Sequence, residues 1–165
     1  MEFAALPDHL CLLVPAVRDA LRPLAAADWQ APYPGSSAWS RVELLGHLID
    51  SAVNNHQRFV RALIEEELRF PGYAQEEMAR VQSYRTADPA VLLELWAGMN
   101  AHIAHVLRQV PAGKLETPCW IAAYAATSLQ QVALDYVAHL EHHLRQLAGA
   151  ANLPYSGLPW PPDGR

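Results

Sequence analysis

The chain has 165 residues, of which 52% are hydrophobic and 18% charged, so its composition argues against disorder and is typical of one globular domain. Its net charge of -5 comes without a basic run, which argues against nucleic acid or an anionic membrane surface as the main partner and leaves small molecules and proteins. The N-terminus lacks the order of a signal peptide, and no apolar run approaches the roughly 20 residues of a membrane span, so we expect a cytoplasmic protein.

Cysteine is scarce in this chain and histidine is abundant. The two cysteines, Cys11 and Cys119, lie far apart and form no CxxC motif, which argues against a disulfide framework and against a thiolate metal site. The eight histidines are the unusual feature of the composition. Any bound metal is therefore expected to be held by nitrogen.

The first predicted element is a helix over about residues 8–27, an apolar segment that Pro15 and Pro23 should kink or shorten. The stretch QAPYPGSSAW, residues 30–39, contains two prolines and a glycine and is predicted to be a loop. No alternating pattern typical of strands separates the helix-length segments.

The second predicted helix has a well-marked start. Ser40 and Glu43 fit a capping box, in which each side chain satisfies a free backbone N–H group of the other residue. We expect this helix to run to about residue 69 and to stop at FPG, residues 70–72. The connection that follows, residues 71–87, has a length that is often functional.

The third predicted helix begins at Asp88-Pro89 and ends near residue 110. Ser128 and Gln131 form another capping box, which opens a fourth helix that Gly149 is expected to end. Residues 151–165 form a proline-rich tail that we expect to pack as an extended strap or to stay loose. Four helices with three connections predict an all-α four-helix bundle that forms a single domain over residues 1–165.

The fourth helix carries three histidines, His139, His142 and His143. At about 100° per residue, His143 falls inside the apolar arc that faces the core, His139 lies just beyond its edge, and His142 points toward solvent. Because His139 and His143 are four residues apart, their rings share one face and can bind a single ion. A stable site needs a third ligand from elsewhere in the fold.

The second helix offers His47 and His56 as further candidates. His56 lies within the apolar arc, where a core histidine with a backbone partner is the commoner outcome. His47 lies on the opposite stripe, whose other polar members are Glu43, Asp50, Ser51, Asn54 and Arg58. Periodicity alone favours solvent exposure of this stripe, and the alternative is that it lines a polar cavity. On the third helix, His102 and His105 could form a second pair but are more simply half-buried structural residues.

Two pieces of the chain, WSRVELLGHLIDSAVNNHQRFVRAL and DYVAHLEHHLRQL, resemble the DinB/YfiT-like superfamily of metalloproteins. In this chain, as in that superfamily, an early helix opens with Trp-Ser and carries a histidine, and a late helix carries HxxxH followed by Gln. Residues 47–59 are similar to the HxxDSxxNxxxRF pattern of the branch that contains bacillithiol S-transferases. The stretch FPGYAQEEMARVQSY resembles that branch's loop. Each motif alone is weak, but their order and spacing over residues 39–147 make the resemblance specific.

The resemblance implies an up-down-down-up four-helix bundle and a divalent ion held by His47, His139 and His143. It also implies that the polar stripe of the second helix is a cavity wall and that His142 lies outside the metal site. The alternatives are a degenerate site and the replacement of one ligand by His142.

Three neutral imidazoles would leave a bound ion strongly Lewis acidic and able to lower the pKa of a bound water or thiol. Arg58 and Asn54 could orient an anionic part of a thiol or substrate, and Asp50 could orient a ligand or accept a proton unless it is an outer-surface carboxylate. Asp135 and Gln146 are candidates to orient the ligand histidines through hydrogen bonds, or they are simple surface groups. Zinc is the favoured metal, and nickel, iron and copper also suit imidazole.

The leading hypothesis is a metal-dependent enzyme, specifically a thiol S-transferase that joins a low-molecular-weight thiol to an electrophilic small molecule. A metal-dependent hydrolase at the same site is the second hypothesis, and a noncatalytic metal-binding or structural bundle is the third. The convergence of polar residues on the stripe of His47 favours an enzyme, whereas the lack of a recognisable nucleophile or strong general base counts against it. A homodimer is a further expectation, based on the apolar surface of Trp96, Trp120 and Trp160.

Overall fold

The computed structural model describes residues 1–34, 39–149 and 152–160. The described helices are, in chain order, α1 (Leu6–Leu21), α2 (Ala26–Gln30), α3 (Arg41–Ile64), α4 (Gln75–Gln82), α5 (Pro89–Arg108) and α6 (Leu129–Ala148). Short 3-10 helices cover Phe3–Ala5, Tyr84–Thr86 and Ala112–Lys114. The described strands are β1 (Leu68–Phe70), β2 (Pro118–Ile121) and β3 (Thr127–Ser128).

The four long helices, α1, α3, α5 and α6, form the predicted up-down-down-up bundle. Helices α1 and α3 each pack against both α5 and α6, so one core is enclosed by all four. The apolar faces meet in that core, where the largest fully buried side chains include Trp96, Phe59 and Ile103. The all-α fold class is confirmed.

The first helix is shorter than predicted. Helix α1 ends at Leu21, and Pro23 follows the residue that caps it, whereas Pro15 lies inside the helix without ending it. The segment Ala26–Gln30 forms the separate helix α2. The predicted shortening at Pro23 is therefore confirmed, because a proline cannot donate a helical hydrogen bond, whereas the predicted extent to about residue 27 is wrong.

Helix α3 begins where the sequence predicted. The Ser40 N–H group donates to Glu43 Oε2 at 2.8 Å, and Ser40 Oγ donates to the same oxygen at 2.6 Å. The preceding predicted loop includes residues 35–38, which lie outside the described residues, and Pro32 and Ser40 form an isolated antiparallel bridge. The capped start fixes the position of every residue on α3, including the polar stripe.

A small three-stranded sheet in the order β1-β2-β3 was not predicted. Strand β1 pairs in parallel with β2, with Leu68 opposite Cys119, and β2 pairs antiparallel with β3. Because β1 occupies Leu68–Phe70, α3 ends at Ile64, and its predicted extension to about residue 69 is wrong. Strands of three, four and two residues are too short to show an alternating pattern, and their pairing joins distant segments of the chain.

Helix α5 begins after Asp88, whose Oδ1 accepts a hydrogen bond from the Ala90 N–H group at 2.9 Å, as predicted. The connection before it is ordered by α4 and by the 3-10 helix Tyr84–Thr86. Within the described ranges, α5 alone is long and apolar enough to meet a membrane-span test, although 50% of its most apolar window is buried inside the bundle. Core helices of water-soluble bundles meet the same test.

Helix α6 begins after Ser128, whose Oγ accepts from the Gln131 N–H group at 3.4 Å, and ends before Gly149, whose φ is +59°. Both boundaries agree with the prediction. Residues 152–160, which we call the strap, run without regular structure and bury Leu153. The rest of the predicted tail, residues 151 and 161–165, lies outside the described residues.

Candidate metal centre

Three histidines from two helices come together inside the bundle. His47 comes from α3, and His139 and His143 come from successive turns of α6. The ring centroids of His47 lie 5.2 Å from His139 and 5.1 Å from His143, and those of His139 and His143 are 4.6 Å apart. One candidate ligand atom from each residue lies within 4.8 Å of the others, so this group could hold a metal ion.

The hydrogen bonds behind these rings suit metal ligation. His143 Nδ1 lies 2.7 Å from Gln146 Oε1, and because an amide oxygen can only accept, the proton belongs on Nδ1 and the Nε2 lone pair is free. His139 Nδ1 lies 3.4 Å from Ser51 Oγ, and His139 Nε2 lies 3.2 Å from His47 Nε2. Imidazole nitrogens that lie this close together are ligands of the kind that a divalent ion such as zinc binds.

The three rings are held in the neutral form that a metal requires. Burial, and secondarily the charge of His143, lowers the pKa of His47 to about 4. Burial is also the main reason that the pKa of His139 falls to about 2, with the neighbouring histidines and Arg58 adding to the effect. Burial lowers the pKa of His143 as well. At neutral pH these nitrogens therefore offer lone pairs without having to lose protons.

An open cavity of about 490 Å³ lies beside the three histidines. Its wall comes from α3, the segments around the sheet, α6 and the strap. The described lining residues are Ser51, Asn55, Arg58, Gly72, Tyr73, Gln75, Ile121, Ala122, Tyr124, Ala125, Thr127, Val132, Asp135, Tyr136, His139, His143 and Trp160. Part of the polar stripe of α3 is thus a cavity wall, as the family resemblance implied.

Arg58 supplies a positive charge to this wall. Its Nη1 donates to Asn55 Oδ1 at 3.1 Å, and its guanidinium lies 5.3 Å from the centroid of the Phe70 ring. Its Nε is buried and has no hydrogen-bond partner among the described residues. Burial lowers the pKa of Arg58, while the neighbouring Tyr73 raises it, and an arginine stays charged in proteins. The cavity wall therefore contains a cation.

Asp50 and Asn54 lie on the same stripe but are not part of the described cavity lining. Asp50 Oδ1 accepts hydrogen bonds from Gln82 Nε2 at 2.7 Å and from the Tyr84 hydroxyl at 2.8 Å. Asn54 Nδ2 donates to the Asp50 backbone oxygen at 2.9 Å. Asp50 is 4% exposed, so it is no outer-surface carboxylate, and it joins α3 to the connection that precedes α5. A catalytic role for either residue stays a prediction.

The two other polar candidates reach the site from α6. Gln146 contacts His143 through the hydrogen bond given above. Asp135 lines the cavity, and its Oδ1 accepts from Gln131 Nε2 at 2.8 Å. Gln146 therefore contacts a candidate ligand and Asp135 contacts the cavity, so neither is a simple surface group.

The remaining histidines lie outside the three-histidine group. His142 is half-buried, with its ring centroid 4.9 Å from that of His143. His56 is half-buried instead of lying in the core as expected, because its ring sits 5.1 Å from that of His102 at the exposed margin of α5. His102 and His105 are exposed, so the expectation of half-buried positions is wrong.

The sequence pointed to Tyr73 on a connection of functional length but did not place the aromatic residues of the cavity wall. Tyr73 and Trp160 lie in segments without helical periodicity, so no pattern indicated which way they point. Trp160 was expected to offer free apolar surface, but its ring centroid lies 4.9 Å from that of His139. Trp96 is fully buried. These two residues therefore give no support to the expected homodimer.

Comparison with known proteins agrees with this architecture. The family model of the DinB superfamily matches residues 15–147. The YfiT protein of Bacillus subtilis (strain 168), whose name assigns it provisionally to the metal-dependent hydrolases, is 24% identical over 140 residues, which cover 81% of this chain and 76% of YfiT.

Two solved structures share the fold. That of YfiT from Bacillus subtilis, described provisionally as a metal-dependent hydrolase with an unusual four-helix bundle topology, has a TM-score of 0.77 at 21% identity and covers 88% of this chain and 83% of that one. The crystal structure of the mycothiol-dependent maleylpyruvate isomerase has a TM-score of 0.74 at 15% identity, over 96% of this chain and 65% of that one. With the family model covering most of the chain, the protein belongs to the DinB superfamily.

Proposed function

We propose that this protein is a metal-dependent thiol S-transferase, in which His47, His139 and His143 hold a divalent ion and the substrates are a low-molecular-weight thiol and an electrophilic small molecule. The observation that carries the proposal is that His139, His143 and the half-buried cation Arg58 line one open cavity of about 490 Å³. A site that only stored metal would need neither the cavity nor the cation.

The bound ion would supply Lewis acidity, which lowers the pKa of a thiol or water beside it to near neutral pH. The three imidazoles add no negative charge that would weaken this effect. Gln146 holds the His143 ring in the tautomer that presents Nε2 to the ion. The three histidines would therefore bind the ion, and Gln146 would orient the His143 ring.

Arg58 is the residue best placed to recognise an anionic group. A guanidinium can form two parallel hydrogen bonds with a carboxylate, and Arg58 is part of the cavity wall. Burial raises the pKa of the neighbouring Tyr73, so its hydroxyl stays protonated and available as a donor. A carboxylate on the thiol or on the electrophile would find both donors in the cavity wall.

Thiol chemistry is favoured by one of the structural relatives, which is a mycothiol-dependent isomerase. Hydrolysis at the same site is the second candidate, because Asp135 places a carboxylate in the cavity wall that could accept a proton from water. The YfiT relatives support this alternative. Asp50 and Asn54 are not part of the described cavity lining, and we retain a catalytic role for them as a proposal. We retain zinc, a cytoplasmic location and a homodimer as proposals.

The first test measures metal content, because both reactions need a bound metal ion. Near-stoichiometric metal by elemental analysis is expected in the wild type and in His142→Ala, and it should be lost in His143→Ala. His142 is the matched control because it neighbours His143 on α6 but lies outside the three-histidine group. Failure to bind any divalent ion after reconstitution would leave a structural bundle.

Product analysis then separates the two reactions. The metal-loaded wild type and His142→Ala should form a thioether from small thiols and an aromatic halide, with release of the halide ion and the thiol proton, and His143→Ala should not. Hydrolysis of an ester panel without thiol conjugates would instead favour the hydrolase.

A further inference from the structure

The strap brings an aromatic side chain to the metal centre. The ring centroid of Trp160 lies 4.9 Å from that of His139, at an interplanar angle of 70°, and 6.4 Å from that of His142. Trp160 is also part of the cavity wall. A residue from outside the bundle's helices therefore forms one side of the space next to the metal site.

A buried carboxylate holds the strap in place. Glu141 on α6 is fully buried, with 0% of its surface exposed. Its Oε1 accepts a hydrogen bond from the Ser156 N–H group at 2.6 Å, and its Oε2 accepts from Ser156 Oγ at 2.8 Å. Glu141 Oε1 also lies 2.6 Å from His9 Nε2 on α1. The strap thus supplies two of the hydrogen bonds that a buried carboxylate requires.

Two further contacts fix the strap along α6. The guanidinium of Arg145, one turn after Glu141, lies 4.1 Å from the centroid of the Tyr155 ring. Leu153 is 8% exposed and joins the hydrophobic core. Releasing the strap would expose Leu153 and leave the Glu141 carboxylate short of donors. The strap is therefore a built part of the fold, and Trp160 has a defined position.

The cavity wall has two chemically different parts near His139. Arg58 is a cation in the cavity wall, and His139 lines the same cavity. Trp160 also lines the cavity and places an aromatic ring against the same histidine. A ligand whose reacting atom lies at the three histidines can thus meet a cation and an aromatic ring at once.

We propose that Trp160 is a specificity-determining residue that selects small molecules carrying a carboxylate and a flat apolar group, and that Glu141 is the positioning residue that holds Trp160 in place through Ser156. The choice of substrate class rests on the proposed function. The placement of Trp160 by Glu141 does not, so the two parts can fail separately.

The placement is tested on metal-free protein labelled with fluorotryptophan. Fluorine NMR resolves one signal per tryptophan, and Trp160→Phe assigns the signal of interest. In Glu141→Gln and in Ser156→Ala, the Trp160 signal should shift and sharpen as the ring leaves His139. The signal of the core residue Trp96 should stay unchanged, which shows that the bundle is folded.

Ser156→Ala is the second variant because it removes the hydroxyl that donates to Glu141 Oε2 and accepts from the Leu158 N–H group, and it leaves the link between Glu141 and His9. A Trp160 signal that is unchanged in both variants would overturn the positioning role of Glu141.

Selectivity is tested by calorimetry on the zinc-loaded protein with thiolactate and its phenyl-substituted analogue. Both have a thiol and a carboxylate, and they differ only in the flat apolar group. We expect the wild type to bind the phenyl analogue about tenfold more tightly, as one aromatic contact allows, and Trp160→Ala and Ser156→Ala to lose that preference while keeping their zinc.

Trp120→Ala is the matched control, because Trp120 packs against Arg69 outside the described cavity lining. It should keep the preference for the phenyl analogue. A wild type without preference, or a Trp160→Ala variant that keeps it, would overturn the specificity role. If the wild type takes up no divalent ion after reconstitution and binds neither thiol, the proposed function and the specificity role both fail, and the fluorine signals still decide the placement.

Discussion

Gln146 accepts a hydrogen bond from Nδ1 of His143 at 2.7 Å, so an amide three residues along α6 determines which nitrogen of that histidine faces His47 and His139. Residues three apart on a helix lie on the same side, which lets one helix supply a candidate ligand and its support. Such supporting contacts orient a ligand ring and raise its basicity.

Removing this support should weaken metal binding without abolishing it. We expect Gln146→Leu to lower zinc affinity by about 10- to 100-fold, because the His143 ring is then free to rotate and to change tautomer. The measurement is a zinc titration in competition with a chromophoric chelator. Gln130→Leu is the matched control, since Gln130 is also a half-buried residue of α6 but donates to Glu116. Equal affinities of the two variants would contradict the role of Gln146.

The histidine group could be predicted only in part from local pattern. The spacing of His139 and His143 required that both rings lie on one face of a helix, whatever the fold. The helical wheel alone placed His47 on a stripe that was more simply a solvent face. Only the family resemblance turned it toward the other two, because the approach of α3 to α6 is a tertiary contact that periodicity does not encode.

The other residues of the polar stripe show why the surroundings of the histidines could not be predicted from the sequence. Arg58 faces the cavity, whereas Asp50 is covered by Gln82 and Tyr84 from the connection after β1. That connection and the strap lack a repeating apolar pattern, so neither their course nor the position of Trp160 followed from the sequence. The same limit hid the small sheet, whose strands pair across distant parts of the chain.

The stability of the metal-free protein should fall as the pH is lowered. Burial, and then the charge of His143, lowers the pKa of His47 from 6.5 to about 4, so below pH 6.5 the unfolded chain gains a proton that the folded chain does not. The stability is fully present above pH 6.5 and is lost as the pH falls toward about 4. For this residue the expected loss is about 1.4 kcal/mol per pH unit.

Urea unfolding of metal-free protein at pH 6.5 and at lower pH, down to about 4, measures this slope. His47→Gln should show a smaller loss of unfolding free energy than the wild type, because glutamine does not titrate. The exposed His105→Gln should keep the wild-type slope. Parallel slopes for the wild type and His47→Gln would show that His47 is not the residue responsible.

Asp50 should matter for stability through Tyr84. The Tyr84 hydroxyl donates to Asp50 Oδ1 at 2.8 Å, and Asp50 Oδ2 is buried without a partner in the described residues. Tyr84→Phe leaves this carboxylate with fewer donors and should lower the unfolding free energy by about 1–3 kcal/mol. The exposed Tyr124→Phe should change it by less than about 0.5 kcal/mol.

A double-mutant cycle with Asp50→Ala measures the coupling directly, and residues in contact are expected to couple by about 0.5–3 kcal/mol. Additive effects, together with a loss of activity in Asp50→Ala at unchanged stability, would instead support the predicted catalytic role of Asp50.

Gly46 has no side chain because the Tyr84 ring occupies that space. A Cβ at Gly46 would lie 2.2 Å from Tyr84 Cδ2, and the ring cannot move aside easily, since it is 5% exposed and tied to Asp50 through its hydroxyl. We expect Gly46→Ala to lower the unfolding free energy by about 1–3 kcal/mol, despite the better helix propensity of alanine.

The matched control for this change is Gly98→Ala on α5, where a Cβ meets no described atom within 4 Å. Because only helix propensity changes there, the unfolding free energy should rise by up to about 1 kcal/mol. Urea unfolding of both variants therefore gives shifts of opposite sign. A Gly46→Ala variant as stable as Gly98→Ala would mean that the Tyr84 ring does not pack on α3. It would also contradict the contact between Tyr84 and Asp50.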